Sequence, residues 1–325
     1  MDPNRVKTVV VHIGAPKTGS SSIQMFLADH PDLLREHDIT FPIMYPHEVR
    51  YFANGYAFLA PQDRRKLSDA INLAATQTVL FSEEMIFFTG QLSDLLDPIW
   101  AEHKLKIVLY VRNAPEYLAS LWGELNKFEN RSYPSPLADY MASDIYLSRL
   151  TGFMEFAAAH PEIDYIVRPY DTSQLHNANS IDDFLSILGI ENVSRPDTAE
   201  ENLSEPRAFA DIMQELYSHG VVQRLPFDVS VTSAAIKRMS RKITTGDPRK
   251  ITETLDDALI QKVVDAHQAA FDRLFAAYGD GRIMQPYPRC FKRERPAHQP
   301  LSLEDRQTIA AWASAVGTFI DDASV

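Results

Sequence analysis

Residues 14–22, Gly14-Ala15-Pro16-Lys17-Thr18-Gly19-Ser20-Ser21-Ser22, gather what is needed to hold an anion. Gly14 and Gly19 permit close backbone approach. Lys17 supplies a point charge, and Thr18, Ser20, Ser21 and Ser22 carry hydroxyl donors. An apolar run, Val9-Val10-Val11-His12-Ile13, precedes the stretch, and apolar residues resume after it at helical spacing, so it reads as a strand-to-helix turn. The first N–H groups of a helix at such a turn point toward an anion. The order departs from a triphosphate loop of the form G-x-x-x-x-G-K-[ST], because Lys17 comes before Gly19 and not after it.

A second stretch, residues 106–127, has complementary chemistry. Arg112 ends an apolar run that reads as a buried strand, where a lone guanidinium is costly. A helix then starts at Asn113 or Ala114, with Pro115 near its first position. At about 100° per residue, Leu118, Leu121, Trp122 and Leu125 form one apolar stripe. Ser120, Lys127, Glu116 and Glu124 lie on the other side. This spacing lets Arg112 and Ser120 grip one anionic group.

The elements that must position these residues follow from the apolar pattern. Residues 7–13, 78–82, 106–111 and 164–167 are short runs rich in Val, Ile and Leu with little alternation, as expected of strands buried on both faces. Helical patterns follow at residues 20–28, 115–128 and 181–188. The last opens with Ser180 and Asp183 in capping-box spacing and stops at Gly189. Strand–helix alternation predicts an α/β fold with a doubly wound parallel sheet. Ligands sit at the carboxyl ends of such strands, where Gly14, Ser82, Arg112 and Arg168 fall. Beyond about Asn202 the strand signal fades. Residues 206–218, 233–242, 254–278 and 302–320 read as helices, and no Pro/Gly/Ser-rich linker sets them apart. The expectation is one domain over residues 1–325, with an α/β core to residue 203 and a mainly helical C-terminal elaboration.

Composition narrows the function. The 325 residues are 45% hydrophobic and 23% charged, as in ordinary globular chains. A net charge of −12 argues against non-specific nucleic-acid binding. Any anion site must therefore be locally basic. No apolar run reaches the roughly 18 to 20 residues of a membrane span, and the first residues lack a signal-peptide pattern. Cys290 is the one cysteine, which excludes an intrachain disulfide or a multi-thiolate zinc site. A reducing cytoplasm is the expected compartment, and the oligomeric state is open.

Together the two stretches resemble the P-loop-like sulfotransferases that use 3′-phosphoadenosine 5′-phosphosulfate. That family's 5′-phosphosulfate loop has the form P-K-[TS]-G-[TS]-[TS], matched by Pro16-Lys17-Thr18-Gly19-Ser20-Ser21. Its 3′-phosphate motif places an Arg at a strand end and a Ser eight residues later, matched by Arg112 and Ser120. Residues 167–170 (VRPY) and 180–190 (SIDDFLSILGI) also look like bacterial members acting on glycans or small metabolites. The resemblance implies 3′-phosphoadenosine 5′-phosphosulfate as co-substrate, no metal requirement, and a small-molecule or glycan acceptor. It places Pro16, Lys17, Thr18, Gly19, Ser20, Ser21, Ser22, Arg112 and Ser120 at the donor. Lys17 is then the group that stabilises charge on the bridging oxygen as the bond to sulfur breaks.

An acceptor hydroxyl needs a general base, which the family takes from a His or a Glu near the second core strand. Glu83 and Glu84 follow the run at 78–82, and adjacent side chains diverge, so one of them faces the cleft. Glu84 is the first choice, Glu83 the second, and His12 the runner-up. Lys127 and Arg168 are candidates for the acceptor or donor. Aromatic residues at 45–61 could line an acceptor pocket or belong to the core. Two rivals remain open: a metal-dependent P-loop kinase or NTPase, and a non-catalytic nucleotide-binding remnant of the fold.

Overall fold

The computed structural model describes residues 6–44, 64–93, 96, 99, 101–126, 135–191, 193, 206–220, 242–285 and 296–323. Five strands form one sheet: β1 (Thr8–His12), β2 (Ile39–Thr40), β3 (Thr78–Ser82), β4 (Lys104–Val111) and β5 (Asp164–Pro169). Their order is β2-β3-β1-β4-β5, and all four pairings are parallel. This is the α/β, doubly wound parallel sheet that the apolar runs predict, flanked by helices. The two-residue β2 is too short to leave a pattern in the sequence. β4 starts two residues earlier than the apolar run, because Lys104 already pairs with Thr8.

The order of the strands sets where the chain reverses its direction across the sheet. After β1 the chain moves to one side of the sheet, and after β4 it moves to the other, so β1 and β4 border a topological switch point. The donor-like loop follows β1, and Arg112 follows β4.

Contacts divide the chain into two compact units. The first comprises Met1–Asn113, Asp144–Thr198 and Ala266–Pro286 and contains the whole sheet. On one sheet face Val10, Leu80, Val108 and Tyr110 pack with Ile23, Phe26 and Leu27 of α1 (Ser20–Asp29). Leu34 of α2 (Pro31–Glu36) joins this core, as do Phe184 and Leu185 from later in the chain. Of the helices α3 (Arg64–Leu73) and α4 (Met85–Thr89), the second caps the carboxyl end of β3.

The second unit comprises Ala114–Ser143, Ala199–Asp265 and Tyr287–Val325. It begins with α5 (Ala114–Leu125) and α6 (Leu137–Met141). In α5, Leu118, Leu121 and Trp122 are buried, and Glu116, Ser120 and Glu124 are half-buried, in keeping with the helical stripe in the sequence. Leu125 is less buried than that stripe implies. α7 (Ile145–Ala159) and α8 (Ser180–Ile187) belong to the first unit, whereas α9 (Arg207–Ser218) and α11 (Leu303–Ala323) belong to the second. The long α10 (Asp257–Tyr278) runs through the boundary at residue 265. Ile212, Met213 and Leu216 of α9 pack with Leu301, Ile309 and Ala313.

The cap of α8 differs from the capping-box expectation. Asn179 is the N-cap, its side chain accepting from the amides of Ile181 (2.8 Å) and Asp182 (3.3 Å). Asp183 is buried instead. An Asn in extended conformation satisfies the first helical donors as well as Ser does, which releases Asp183 for a long-range role. Lys127, the aromatic segment 45–61 and nearly all of the helix expected at 233–242 lie outside the described residues.

Candidate functional site

The loop between β1 and α1 is shaped by two left-handed residues. Gly19 has φ +80°, and Lys17 has φ +67°, an unusual conformation for a side-chain-bearing residue. Strain of this kind, held by the surrounding structure, concentrates at ligand sites. Thr18 is fully buried, and its hydroxyl donates to the carbonyl of Ala15 at 2.6 Å, closing the loop on itself. Its hydroxyl is thus a structural tie and not the free donor that the sequence suggests; its backbone can still line the loop. Pro16 is buried. A Cβ on Gly19 would lie 3.0 Å from Ser180 Oγ and 3.1 Å from the Tyr170 ring, so the position takes no larger residue without strain.

Helix α1 presents its N-terminus at this loop. The first α-helical bond runs from Ile23 N to Gly19 O at 3.1 Å. The amides of Ser20, Ser21 and Ser22 precede it and have no intrahelical acceptor. Ser21 and Ser22 are half-buried, and Ser20 is buried.

Arg112 reaches this loop from the end of β4. Its Nη1 lies 3.5 Å from the carbonyl of Lys17, and its guanidinium sits 5.8 Å from the centre of the Tyr170 ring. Lys17 and Arg112 therefore bring two positive charges to one loop in a chain of net charge −12. The backbone of Arg112 is fixed by Tyr146, whose hydroxyl accepts from Arg112 N (3.1 Å) and donates to Arg112 O (2.8 Å). Tyr146 is fully buried, with its ring 5.8 Å from Phe271 and 6.3 Å from Phe87. Sequence reasoning had no signal for this residue. Ser120 sits on the half-buried side of α5 in the second unit.

The two adjacent carboxylates do diverge. Glu83 is buried, its Oε1 accepting from the Met85 amide at 3.0 Å. Burial, reinforced by the charge of Glu84, pushes its carboxyl up to about 8, so it holds its proton at neutral pH. Glu84 is half-buried and turns toward the donor-like loop, where its Oε2 accepts the hydroxyl hydrogen of Ser20. The neighbouring strands explain the meeting: His12 pairs with Ser82 across β1 and β3, so the loops that follow them abut.

His12 lies beneath the loop, fully buried. Its Nδ1 is 2.8 Å from Ser82 Oγ, which also receives the Gln24 amide at 3.1 Å. Nε2 has no hydrogen-bond partner among the described residues. A Cβ on Gly14 would fall 2.5 Å from it, so Gly14 leaves the room that the imidazole fills. Burial pushes the ring down to about 3. A neutral, sealed imidazole of this kind suits a support under the loop better than a proton acceptor.

Arg168 belongs to a different constellation. Asp183, fully buried, accepts from Tyr110 Oη (2.6 Å) and His176 N (2.9 Å). Arg168 Nε lies 3.7 Å from it and Arg282 Nη2 3.5 Å, while Asp280 is 3.6 Å from Arg168 Nη1. Burial, together with the charge of Asp183, raises the Tyr110 phenol well above its usual range. The second unit has a cavity of about 310 Å³ lined by Trp122, Gln214 and His298, among others. Its guanidiniums are already matched, Arg207 with Asp211 at 2.7 Å and Arg306 with Glu215 at 3.0 Å.

Among the described residues no helix is long and apolar enough to cross a membrane. No protein-family model matches the chain, and no curated protein is significantly similar to it. Among solved structures, a sulfotransferase from Alicyclobacillus acidocaldarius is a distant neighbour, with a TM-score of 0.43 and 14% identity over 84% of this chain and 95% of that one. A match at this level bears on neither residue roles nor chemistry.

Proposed function

We propose that this protein is a sulfotransferase that moves a sulfuryl group from 3′-phosphoadenosine 5′-phosphosulfate to a hydroxyl or amine of a small metabolite or glycan. The observation that carries the reading is the arrival of the Arg112 guanidinium at the carbonyl of Lys17, in the loop that runs into the first amides of α1. That set fits a phosphosulfate: fixed N–H groups for oxygens and two point charges with no Lys after Gly19. When bound, the donor supplies a sulfuryl group whose bond to the bridging oxygen breaks as a bond from the acceptor to sulfur forms.

The chain's own residues have separable tasks in this scheme. The amides of Ser20 to Ser22 hold the 5′ anion at the helix N-terminus. Lys17 stabilises the negative charge that gathers on the leaving oxygen, an interaction stronger in the transition state than in the ground state. Arg112 and Ser120 are the sequence's candidates for the donor's 3′-phosphate. Glu84 accepts the acceptor's proton. Glu83, protonated at neutral pH, is less suited to that step. Arg168, matched by Asp183 and Asp280, acts as a support for the sheet edge.

A second reading has one observation in its favour. A loop hydroxyl (Ser20) hydrogen-bonded to a carboxylate after a neighbouring strand (Glu84) is also what a Mg²⁺-dependent P-loop enzyme needs. Mg²⁺ takes as few as one carboxylate beside phosphates and water. A thermal-shift comparison separates the two. Under the sulfotransferase reading, 3′-phosphoadenosine 5′-phosphate at about 100 times its dissociation constant adds about 2.7 kcal/mol. AMP then gives much less, and ATP with Mg²⁺ gives no more than AMP. Stronger stabilisation by ATP with Mg²⁺ reverses the choice.

A further inference from the structure

We infer that Ser20 gates the base: its single hydroxyl donates its hydrogen bond either to Glu84, as in this structure, or to an oxygen of the donor's 5′-phosphosulfate once that anion is seated. The inference rests on the sulfotransferase reading and specifies how its two half-sites communicate.

The geometry behind it is simple. Ser20 is the first residue of α1, immediately after the left-handed Gly19, and is 4% exposed. In that position its side chain borders the same anion as the first amides of the helix. A serine hydroxyl has one hydrogen to donate, and in this structure the hydrogen goes to Glu84 Oε2. An anion at the loop competes for that hydrogen. It also carries like charge toward the carboxylate, which raises the carboxylate's affinity for a proton.

Two consequences follow for the order of events. While the Ser20 hydroxyl donates to one oxygen of Glu84, the carboxylate is a weaker proton acceptor. Once that hydroxyl turns to the donor, the carboxylate loses this one bond and becomes the stronger acceptor for the proton of the acceptor hydroxyl. The acceptor oxygen bonds to sulfur, the bridging oxygen leaves with the nucleotide, and the proton ends on Glu84. Donor binding thus precedes productive acceptor engagement. The hydroxyls of Ser21 and Ser22 have no such bond to a carboxylate among the described residues, so the coupling is assigned to Ser20 alone.

A double-mutant cycle on nucleotide affinity tests this without turnover. The dissociation constant of 3′-phosphoadenosine 5′-phosphate is measured by titration calorimetry for the unaltered protein, Ser20→Ala, Glu84→Ala and the double variant. Removing Glu84 frees the Ser20 hydroxyl and also removes a repelling charge, so Glu84→Ala should tighten binding about tenfold, the change worth 1.4 kcal/mol. In the Ser20→Ala background only the charge effect survives, and the tightening should shrink to about two- or threefold. Ser20→Thr, which keeps a hydroxyl, should restore the larger effect and guards against a misfolded alanine variant. Equal tightening in both backgrounds would overturn the gate while leaving the donor assignment intact. No binding of the nucleotide to the unaltered protein would overturn the donor assignment and the gate with it.

Discussion

Tyr146 holds both polar backbone groups of Arg112 with one hydroxyl, accepting from its amide at 3.1 Å and donating to its carbonyl at 2.8 Å. The chain is thereby fixed at the point where it leaves β4, and the guanidinium is aimed at the loop. Tyr146→Phe keeps the ring packing and removes both bonds. The expected cost is about 1 to 3 kcal/mol, the range for leaving buried partners unmatched. Nucleotide affinity and melting temperature should fall together. A lower melting temperature with unchanged affinity would show that Tyr146 supports the fold only.

Arg112 and Lys17 should separate binding from catalysis. Arg112→Ala should weaken nucleotide binding by roughly 1.5 to 3 kcal/mol, as for a lost charge-assisted hydrogen bond. Lys17→Ala should lower kcat more than it raises the dissociation constant, because its partner gains charge only in the transition state. A Lys17→Ala variant altered only in KM for donor contradicts the assigned role.

The two carboxylates should behave differently in turnover. Glu84→Gln keeps an acceptor for the Ser20 hydroxyl but cannot take a proton. Its rate should fall by about 10² to 10⁴, with donor binding only about two- or threefold tighter from the lost charge. Glu83→Gln should retain most activity, since that side chain is turned into the protein and already protonated at neutral pH. The reverse pattern moves the base to Glu83, and full activity in both variants removes a carboxylate base from the scheme.

Glu83 should also appear in the pH dependence of stability. Its carboxyl is raised from 4.5 to about 8 in the folded protein. The unfolded chain therefore releases this proton first, and stability falls as pH rises from about 4.5 to about 8. Glu83→Gln should be more stable than the unaltered protein at pH 8, on the order of a few kcal/mol, with the difference vanishing near pH 4. His12 works in the opposite sense, because its ring is lowered from 6.5 to about 3 and the unfolded chain binds protons first. Its contribution is complete above about 6.5 and is lost as pH falls toward 3. Chemical denaturation across pH with Glu83→Gln and, separately, His12→Asn resolves the opposing slopes.

What local pattern can specify, the sequence states clearly. The Val-rich runs at β1 and β4, the small residues after β1, and the apolar stripe of α5 each depend on neighbours within a few residues. The α/β class, the strand-to-helix loop and the position of Arg112 at a strand end were legible for that reason. Strand order is different, since it depends on which buried faces match across the whole chain. It brings Ser20 to Glu84, 64 residues away, and Arg112 to Tyr146, 34 residues away. The same long-range packing paired His12 with Ser82 and gave Asp183 to Arg168 and Tyr110, whereas Thr18 with Ala15 and the Asn179 cap of α8 are local bonds chosen among several neighbouring polar groups. A side chain's hydroxyl or charge is visible in the sequence. Its hydrogen-bond partner is set by the register of strands and the docking of helices, and only the tertiary structure fixes those.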